Sequence, residues 1–179
     1  MASKLISQTY LSEHRYFTAR RDAYQMESGK IVDPYFVVEL PPSATAMAIT
    51  NDQQVILLEQ YRHPVGETLY ELPGGFIEPG EDPFNAIERE LLEETGFKFD
   101  HIERLGETMA NPGVLNNTTQ LFLATGGIQV QEQQLDANEE IRLLFQSIET
   151  TRQWLMESRI KQSMHALCLF YGLKKLGRF

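Results

Sequence analysis

The chain has 179 residues, of which 42% are hydrophobic and 23% are charged, the composition of a globular protein with a substantial core. Its net charge is -9 and the sequence shows no basic stripe, which argues against nucleic-acid binding. We expect neither a membrane span nor a signal peptide, because no segment is long and apolar enough. The single cysteine, Cys168, excludes an intrachain disulfide and lies in an apolar stretch. It predicts a buried thiol and a cytoplasmic protein.

The first forty residues predict a meander of short strands with a turn at Ser28-Gly29-Lys30. Pro41-Pro42 marks a transition to longer, more apolar strand patterns. We therefore divide the chain into an N-terminal meander, 1–40, and a main domain, 41–179.

Strand patterns dominate the main domain, and helices come between them or after them. A hairpin is predicted over 44–62, with its turn at Asn51-Asp52 and a strand from Val55 to Leu58 that is buried on both faces. The segment 68–76 predicts a strand that runs into a loop, and further strands are predicted in the segments 99–110, 118–130 and 141–148. This order indicates the α+β class, a mixed sheet with helices outside it.

Two helices are expected to close the chain. The first begins after a Ser147 cap and covers 150–160. The second runs over about 162–174, and one apolar stripe along it contains Met164, Leu167, Cys168 and Tyr171.

A third helix is predicted over 83–95. Asp82 is a favoured N-cap, Pro83 suits the first helical position, and Gly96 suits the left-handed position after the last turn. Its apolar stripe contains Phe84, Ile87 and Leu91.

Three glutamates of this helix, Glu90, Glu93 and Glu94, share another sector, and we call them the carboxylate cluster. Glu94 borders the apolar stripe, so we expect it to be partly buried. Crowded carboxylates raise one another's pKa values or bind a cation, and oxygen-only ligands suit Mg²⁺ or Mn²⁺ rather than Zn²⁺. The alternative interpretation is a solvated acidic face.

The segment 75–97 resembles the Nudix box, G-x5-E-x7-R-E-U-x-E-E-x-G-U, where U is a bulky apolar residue. Gly75, Glu81 and the run from Arg89 to Phe97 fill every fixed position. The resemblance implies an α/β/α sandwich with a mixed central sheet, in which the box forms a loop, a helix and a loop. It also implies an enzyme that hydrolyses a nucleoside diphosphate linked to another group.

The resemblance also assigns roles within the box. Glu90 and Glu94 would be the main metal ligands, with Glu93 close to the metal and the carbonyl of Gly74 as a further ligand. Glu93 and Glu94 are thereby catalytic candidates. Structural roles are implied for Gly75, Glu81, Arg89 and Gly96, with Glu81 either an accessory ligand or a partner of Arg89.

Outside the box the chain is similar to the ADP-ribose pyrophosphatase and nucleotide-sugar hydrolase branch. The similarity rests on Glu59-Gln60-Tyr61-Arg62, on Glu71 to Gly75, and on Pro112, fifteen residues after Phe97. It implies ADP-ribose as substrate, and AMP and ribose 5-phosphate as products. GDP-mannose, another nucleotide sugar, or a non-catalytic nucleotide sensor are the alternatives. Substrate contacts are implied for Arg62, Glu71, Pro112 and Gly113, although Arg62 could instead be a surface arginine paired with Glu71.

Two departures from the branch leave the substrate and the general base open. The late loop of relatives reads E-x-E-x-I, and here Glu139 fits the second position, a metal ligand, while Ala137 occupies the first, the base. Asp136 or Glu140 then takes over as base, or the metal activates water without one. The segment 116–119 also lacks the acidic residue of many relatives.

The N-terminal strands of this branch often build a homodimer, and we expect one here. An isolated meander would expose its sheet edges, and pairing across a two-fold axis would cover them.

Overall fold

The computed structural model describes residues 3–14 and 17–179. They form two compact units by their internal contacts: Met1–Pro41 with Met109–Thr118, and Pro42–Thr108 with Thr119–Phe179. None of the helices in these residues is long and apolar enough to cross a membrane.

The first unit contains a three-stranded antiparallel sheet in the order β1-β2-β3, as the meander pattern predicted. The strands are β1 (Lys4–His14), β2 (Phe17–Gln25) and β3 (Ile31–Glu39). Gly29, with a φ of 83°, makes the turn between β2 and β3. The segment 109–118 joins this unit, because the Val38 amide donates to the Val114 carbonyl at 2.9 Å.

The second unit is built on one mixed sheet with the strand order β11-β5-β4-β10-β8. β4 and β10 are parallel, and the other pairings are antiparallel, with β6 on β5, β7 on β4 and β9 on β10. The strands are β4 (Ser43–Thr50), β5 (Gln54–Arg62), β6 (Glu67–Glu71), β7 (Gly74–Phe76), β8 (Phe97–Lys98), β9 (His101–Thr108), β10 (Thr119–Gln129) and β11 (Ile141–Ser147). The helices are α1 (Pro83–Thr95), α2 (Ile148–Met156) and α3 (Ser163–Lys175).

Helices cover both faces of this sheet. Successive side chains of a strand point to opposite faces, so one strand can pack with helices on both sides. Along β4, Ala44, Ala46 and Ala48 pack with α1, whereas Met47 and Ile49 pack with α3. α2 contributes Trp154 and Leu155 to the α3 side. The α/β/α sandwich of the α+β class is therefore confirmed.

The predicted stripe of the last helix is confirmed at Cys168, which is fully buried, whereas Met164 and Leu167 are half-buried and Leu167 packs against the core. The buried residues of α3 are His165, Cys168, Leu169, Gly172 and Leu173, whereas Tyr171 is exposed. Most residues of this helix are apolar, so several stripes satisfied the helical period. The close approach of Gly172 to Met47 selects the real one, since a Cβ at Gly172 would lie 2.5 Å from the Met47 sulfur.

Candidate active site

α1 has the boundaries that its capping residues predicted. The Asp82 carboxylate accepts the Phe84 amide hydrogen at 2.9 Å, and Pro83 begins the helix. Gly96 ends it with a φ of 76° and donates to the Leu92 carbonyl. A Cβ at Gly96 would overlap the carbonyl oxygen of Gln131, so the position requires glycine.

The last turn of α1 is attached to the strand that precedes it. The Gly74 amide of β7 donates to Glu94 Oε2 at 2.7 Å, and Glu94 is buried, with 6% of its surface exposed. Gly74 has a φ of 146°, and a Cβ there would overlap the Ala44 carbonyl of β4. A Cβ at Gly75 would lie 2.6 Å from the Glu90 carboxylate. The two glycines thus allow the backbone to pass directly beside the carboxylates.

Arg89 organises the outer side of the carboxylate cluster. Its Nε and Nη2 donate to the two oxygens of Glu81 at 3.0 and 3.1 Å, and Nη2 also donates to the Phe76 carbonyl. Its Nη1 donates to Glu90 at 2.7 Å and to Glu93 at 3.1 Å. These bonds raise the pKa of Arg89, and the Arg89 hydrogen bonds lower the pKa of Glu81.

The inner side of the cluster carries negative charge that is poorly balanced. Burial raises the pKa of Glu94 well above its ordinary value; the charges of Glu90 and Glu139 raise it further, and the Gly74 amide opposes the shift. Burial also raises the pKa of Glu90, against the opposing effect of Arg89. Because Glu139 raises both pKa values, the late loop brings its carboxylate into electrostatic reach of the helix.

The loop that carries Glu139 is tied to the end of α1. The Gln133 side chain donates to the backbone carbonyl of Glu94 at 2.7 Å, and the backbone N–H of Gln134 donates to the backbone carbonyl of Glu93 at 2.8 Å. Sequence reasoning missed both glutamines, because the long loop before β11 carries no periodic pattern.

Glu139 closes a turn with Asp136. The Asp136 amide donates to Glu139 Oε2 at 3.1 Å, and the Glu139 amide donates back to the Asp136 carbonyl at 2.9 Å. Glu139 is half-buried, whereas Asp136, Ala137 and Glu140 are exposed. The two candidate bases, Asp136 and Glu140, thus flank Glu139 in the sequence and are more exposed than it is.

Arg62 and Glu71 form a bidentate ion pair on the neighbouring hairpin of β5 and β6. Arg62 Nε and Nη2 donate to the two Glu71 oxygens at 2.9 and 2.6 Å, and these bonds raise the Arg62 pKa. Glu71 is buried, whereas 43% of the Arg62 side chain is exposed. The predicted pairing is present, and a substrate contact by Arg62 stays a prediction.

His165 is the polar residue of this region that sequence reasoning missed. Its Nδ1 accepts the Leu72 amide hydrogen at 3.1 Å and lies 3.8 Å from Glu71 Oε2. Burial lowers the pKa of His165 to about 4, so the ring is neutral at neutral pH. A lone imidazole in the apolar run MHALCLFYGL was the available signal.

Pro112 and Gly113, the other predicted substrate residues, belong to the first unit. The Gly113 carbonyl accepts the Tyr35 hydroxyl hydrogen at 2.7 Å. Their contact with substrate stays a prediction.

The carboxylate oxygens of Glu90, Glu93, Glu94 and Glu139 have the chemistry that a hard divalent cation requires. Among residues 3–14 and 17–179, however, no three Asp, Glu, His or Cys side chains are already arranged as ligands around one point. Hydrogen bonds from Arg89 hold Glu90 and Glu93 and direct their carboxylates toward the guanidinium. The donor set fits a divalent cation, provided that those two carboxylates turn from Arg89.

The model of the NUDIX domain family matches residues 39–166, and the chain therefore belongs to the Nudix family and is a Nudix hydrolase. A protein named methanol dehydrogenase activator, from Bacillus methanolicus, is 32% identical over 136 residues, 75% of this chain and 74% of that one. An ADP-ribose pyrophosphatase of Bacillus subtilis is 31% identical over 150 residues, 75% and 80% of the two chains. An ADP-sugar pyrophosphatase of Mus musculus is 33% identical over 130 residues, 66% and 59% of the two chains.

A solved structure described as an ADP compounds hydrolase has the same fold. Its TM-score is 0.85 at 19% identity, and the alignment covers 100% of this chain and 98% of that one.

The buried His165 predicts a pH dependence of stability. Its pKa is about 4 in the fold, below the ordinary 6.5, so the unfolded chain binds more protons between these values and stability falls as the pH falls through this range. Between pH 7 and pH 4.5, wild type should lose about 2 kcal/mol more unfolding free energy than His165→Asn, which cannot titrate. Urea unfolding at both pH values measures this difference, and equal losses in the two proteins would contradict the assignment.

Proposed function

We propose that this enzyme hydrolyses the pyrophosphate bond of ADP-ribose, with Mg²⁺ or Mn²⁺, to give AMP and ribose 5-phosphate in the cytoplasm. The observation that carries the proposal is the buried Glu94 carboxylate, held against Gly74 beside two further carboxylates. The names of the relatives from Bacillus subtilis and Mus musculus support an ADP-linked substrate. The single, buried Cys168 suits a reducing compartment.

Nudix hydrolases generally use divalent metal ions. In this chain Glu90, Glu93 and Glu94 of α1, the Gly74 carbonyl and Glu139 would hold them. When bound, divalent ions neutralise the diphosphate charge and lower the pKa of a coordinated water. Burial raises the pKa values of Glu90 and Glu94, and the charges of neighbouring glutamates add to the shift. These raised pKa values support the assignment, because a nearby cation would favour the charged carboxylates that burial disfavours.

The protein's own groups bind and orient the substrate and move its protons. Glu71 fixes Arg62 through two hydrogen bonds, so the exposed part of the guanidinium can donate to phosphate or ribose oxygens in a defined orientation. Asp136 and Glu140 flank Glu139 and are exposed, so either can accept a proton from the attacking water. Gly74 and Arg89 hold the carboxylate cluster from opposite sides, through the hydrogen bonds to Glu94 and to Glu90.

The substrate is tested by following phosphate release, coupled to a phosphatase, from ADP-ribose, GDP-mannose, UDP-glucose, NADH and dinucleoside polyphosphates, first with Mg²⁺ and then with Mn²⁺. We expect the highest kcat/KM with ADP-ribose. A higher value for GDP-mannose or another nucleotide sugar would replace the substrate within the same reaction class. Tight binding of one compound without turnover of any would instead establish a nucleotide sensor.

Glu94→Gln should lower turnover of ADP-ribose by about 100-fold or more, because it removes a positioned metal-ligand charge while an amide oxygen can still accept the Gly74 hydrogen. Glu88→Gln is the matched control, since Glu88 is exposed on the same helix. Near-normal rates in Glu94→Gln would contradict the site assignment, and so would equal losses in the two variants.

The general base is tested by Asp136→Asn and Glu140→Gln in pH–rate profiles. We expect one of the two variants to lose about 10²-fold or more of kcat and the acidic limb of its profile, because a general base supplies a rate factor of that size. Full activity in both variants would show that water activation needs neither residue.

The N-terminal meander is our proposed dimerisation element. β1 lies at the edge of its sheet, and more than half of the surface of its residues Leu5, Ile6 and Leu11 is exposed to solvent. An edge strand with exposed apolar side chains is stabilised when a second chain covers it.

Light scattering on a sizing column should therefore give about twice the chain mass of 20.6 kDa. Leu11→Lys should shift the protein toward the monomer. Met156→Lys, which replaces another exposed apolar residue in the second unit, should not. A monomeric wild-type protein would contradict the proposal.

A further inference from the structure

Hydrogen bonds hold each residue of the segment 71–74, which runs from the end of β6 to the start of β7. Glu71, the last residue of β6, binds Arg62. The Pro73 carbonyl accepts from both the Thr45 hydroxyl and the Ala46 amide at 3.0 Å. The Gly74 amide donates to Glu94. This segment therefore connects the ion pair of the hairpin to the carboxylate cluster of α1.

The Leu72 amide lies where the β-ladder has stopped. The pairing of β6 with β5 ends at Glu71 opposite Leu58, and Pro73 follows, so the sheet gives this buried N–H no backbone partner there. An unpaired buried amide destabilises a fold by the full cost of its desolvation. His165 Nδ1 supplies the partner, from a helix 93 residues further along the chain.

The helix that carries His165 is fixed to the sheet independently of this bond. Cys168 Sγ donates to the Phe122 carbonyl at 3.3 Å, and Gly172 lies directly against Met47. Leu169 and Leu173 are fully buried in the same apolar cluster. His165 is therefore presented to Leu72 from a rigid support, which is what precise orientation of a site requires.

We propose that His165 is a positioning residue for the carboxylate cluster. By accepting the Leu72 amide hydrogen it fixes the segment 71–74, and through this segment it orients both the Gly74 donor to Glu94 and the Glu71 partner of Arg62. The inference rests on the proposed function of these carboxylates as cation ligands. It adds a role for a buried side chain of α3 that makes no contact of its own with Glu94 in the described residues.

The test is Mn²⁺ binding to the substrate-free protein, titrated by electron paramagnetic resonance, in three variants. His165→Leu fills similar volume but removes the acceptor. His165→Asn places an amide oxygen near the position of Nδ1. Leu173→Ala destabilises the same helix away from Leu72 and serves as the control for general loss of packing.

We expect His165→Leu to weaken Mn²⁺ binding about tenfold, as loss of an outer partner of a ligand set does, and His165→Asn to restore it to within about threefold of wild type. Leu173→Ala should lower Tm and leave Mn²⁺ affinity unchanged. Wild-type affinity in a folded His165→Leu, failure of His165→Asn to recover, or equal weakening in Leu173→Ala would overturn the proposal. Failure of the wild-type protein itself to bind Mn²⁺ would instead overturn the proposed function.

A measurement on the unmodified protein covers the case in which His165→Leu does not fold. Long-range ¹H–¹⁵N NMR correlations report which imidazole nitrogen carries the hydrogen. The proposal requires a hydrogen on Nε2 and an accepting Nδ1. A His165 ring protonated on Nδ1 in the neutral protein would overturn it.

Discussion

The rest of the site depends on the hydrogen bond of 2.7 Å between the Gly74 amide and the Glu94 carboxylate. It joins the last turn of α1 to β7 and holds a carboxylate where water is almost excluded. A buried anion is unfavourable unless hydrogen bonds or opposite charge compensate it. One amide compensates it only in part, so burial raises the pKa of Glu94, and a cation would stabilise its charged form.

The close contacts of β7 with β4 and α1 require glycine at positions 74 and 75. Gly74 approaches the Ala44 carbonyl and Gly75 approaches Glu90 so closely that neither position has room for a side chain. Arg89 balances the outer carboxylates and fixes Glu81, whereas Glu94 on the inner side keeps the larger share of uncompensated charge. Substrate chemistry is therefore expected at the inner side, where Glu139 adds a further negative charge.

Local sequence spacing predicted the box helix, its caps, the Arg89 to Glu81 pair and the strand order of the meander, because each depends on residues close in the chain. No local sequence pattern predicted the hydrogen bond of Gln133 to the Glu94 carbonyl or that of His165 to the Leu72 amide. These bonds join residues that are 39 and 93 positions apart. The misplacement of Tyr171 on the buried stripe of α3 has the same origin, because the neighbours of an apolar helix determine which of its faces is buried. β7 was expected as part of a loop, and it pairs with β4 because Gly74 permits the close approach to Ala44.

The central claim, that these buried carboxylates gather divalent cations, is tested most directly by anomalous diffraction from crystals soaked in Mn²⁺. The prediction is a manganese peak coordinated by oxygens of Glu90 and Glu94, with Arg89 still bound to Glu81. Absence of such a peak at full soaking, with both carboxylates directed into solvent or with Glu90 still bound to Arg89, would contradict it.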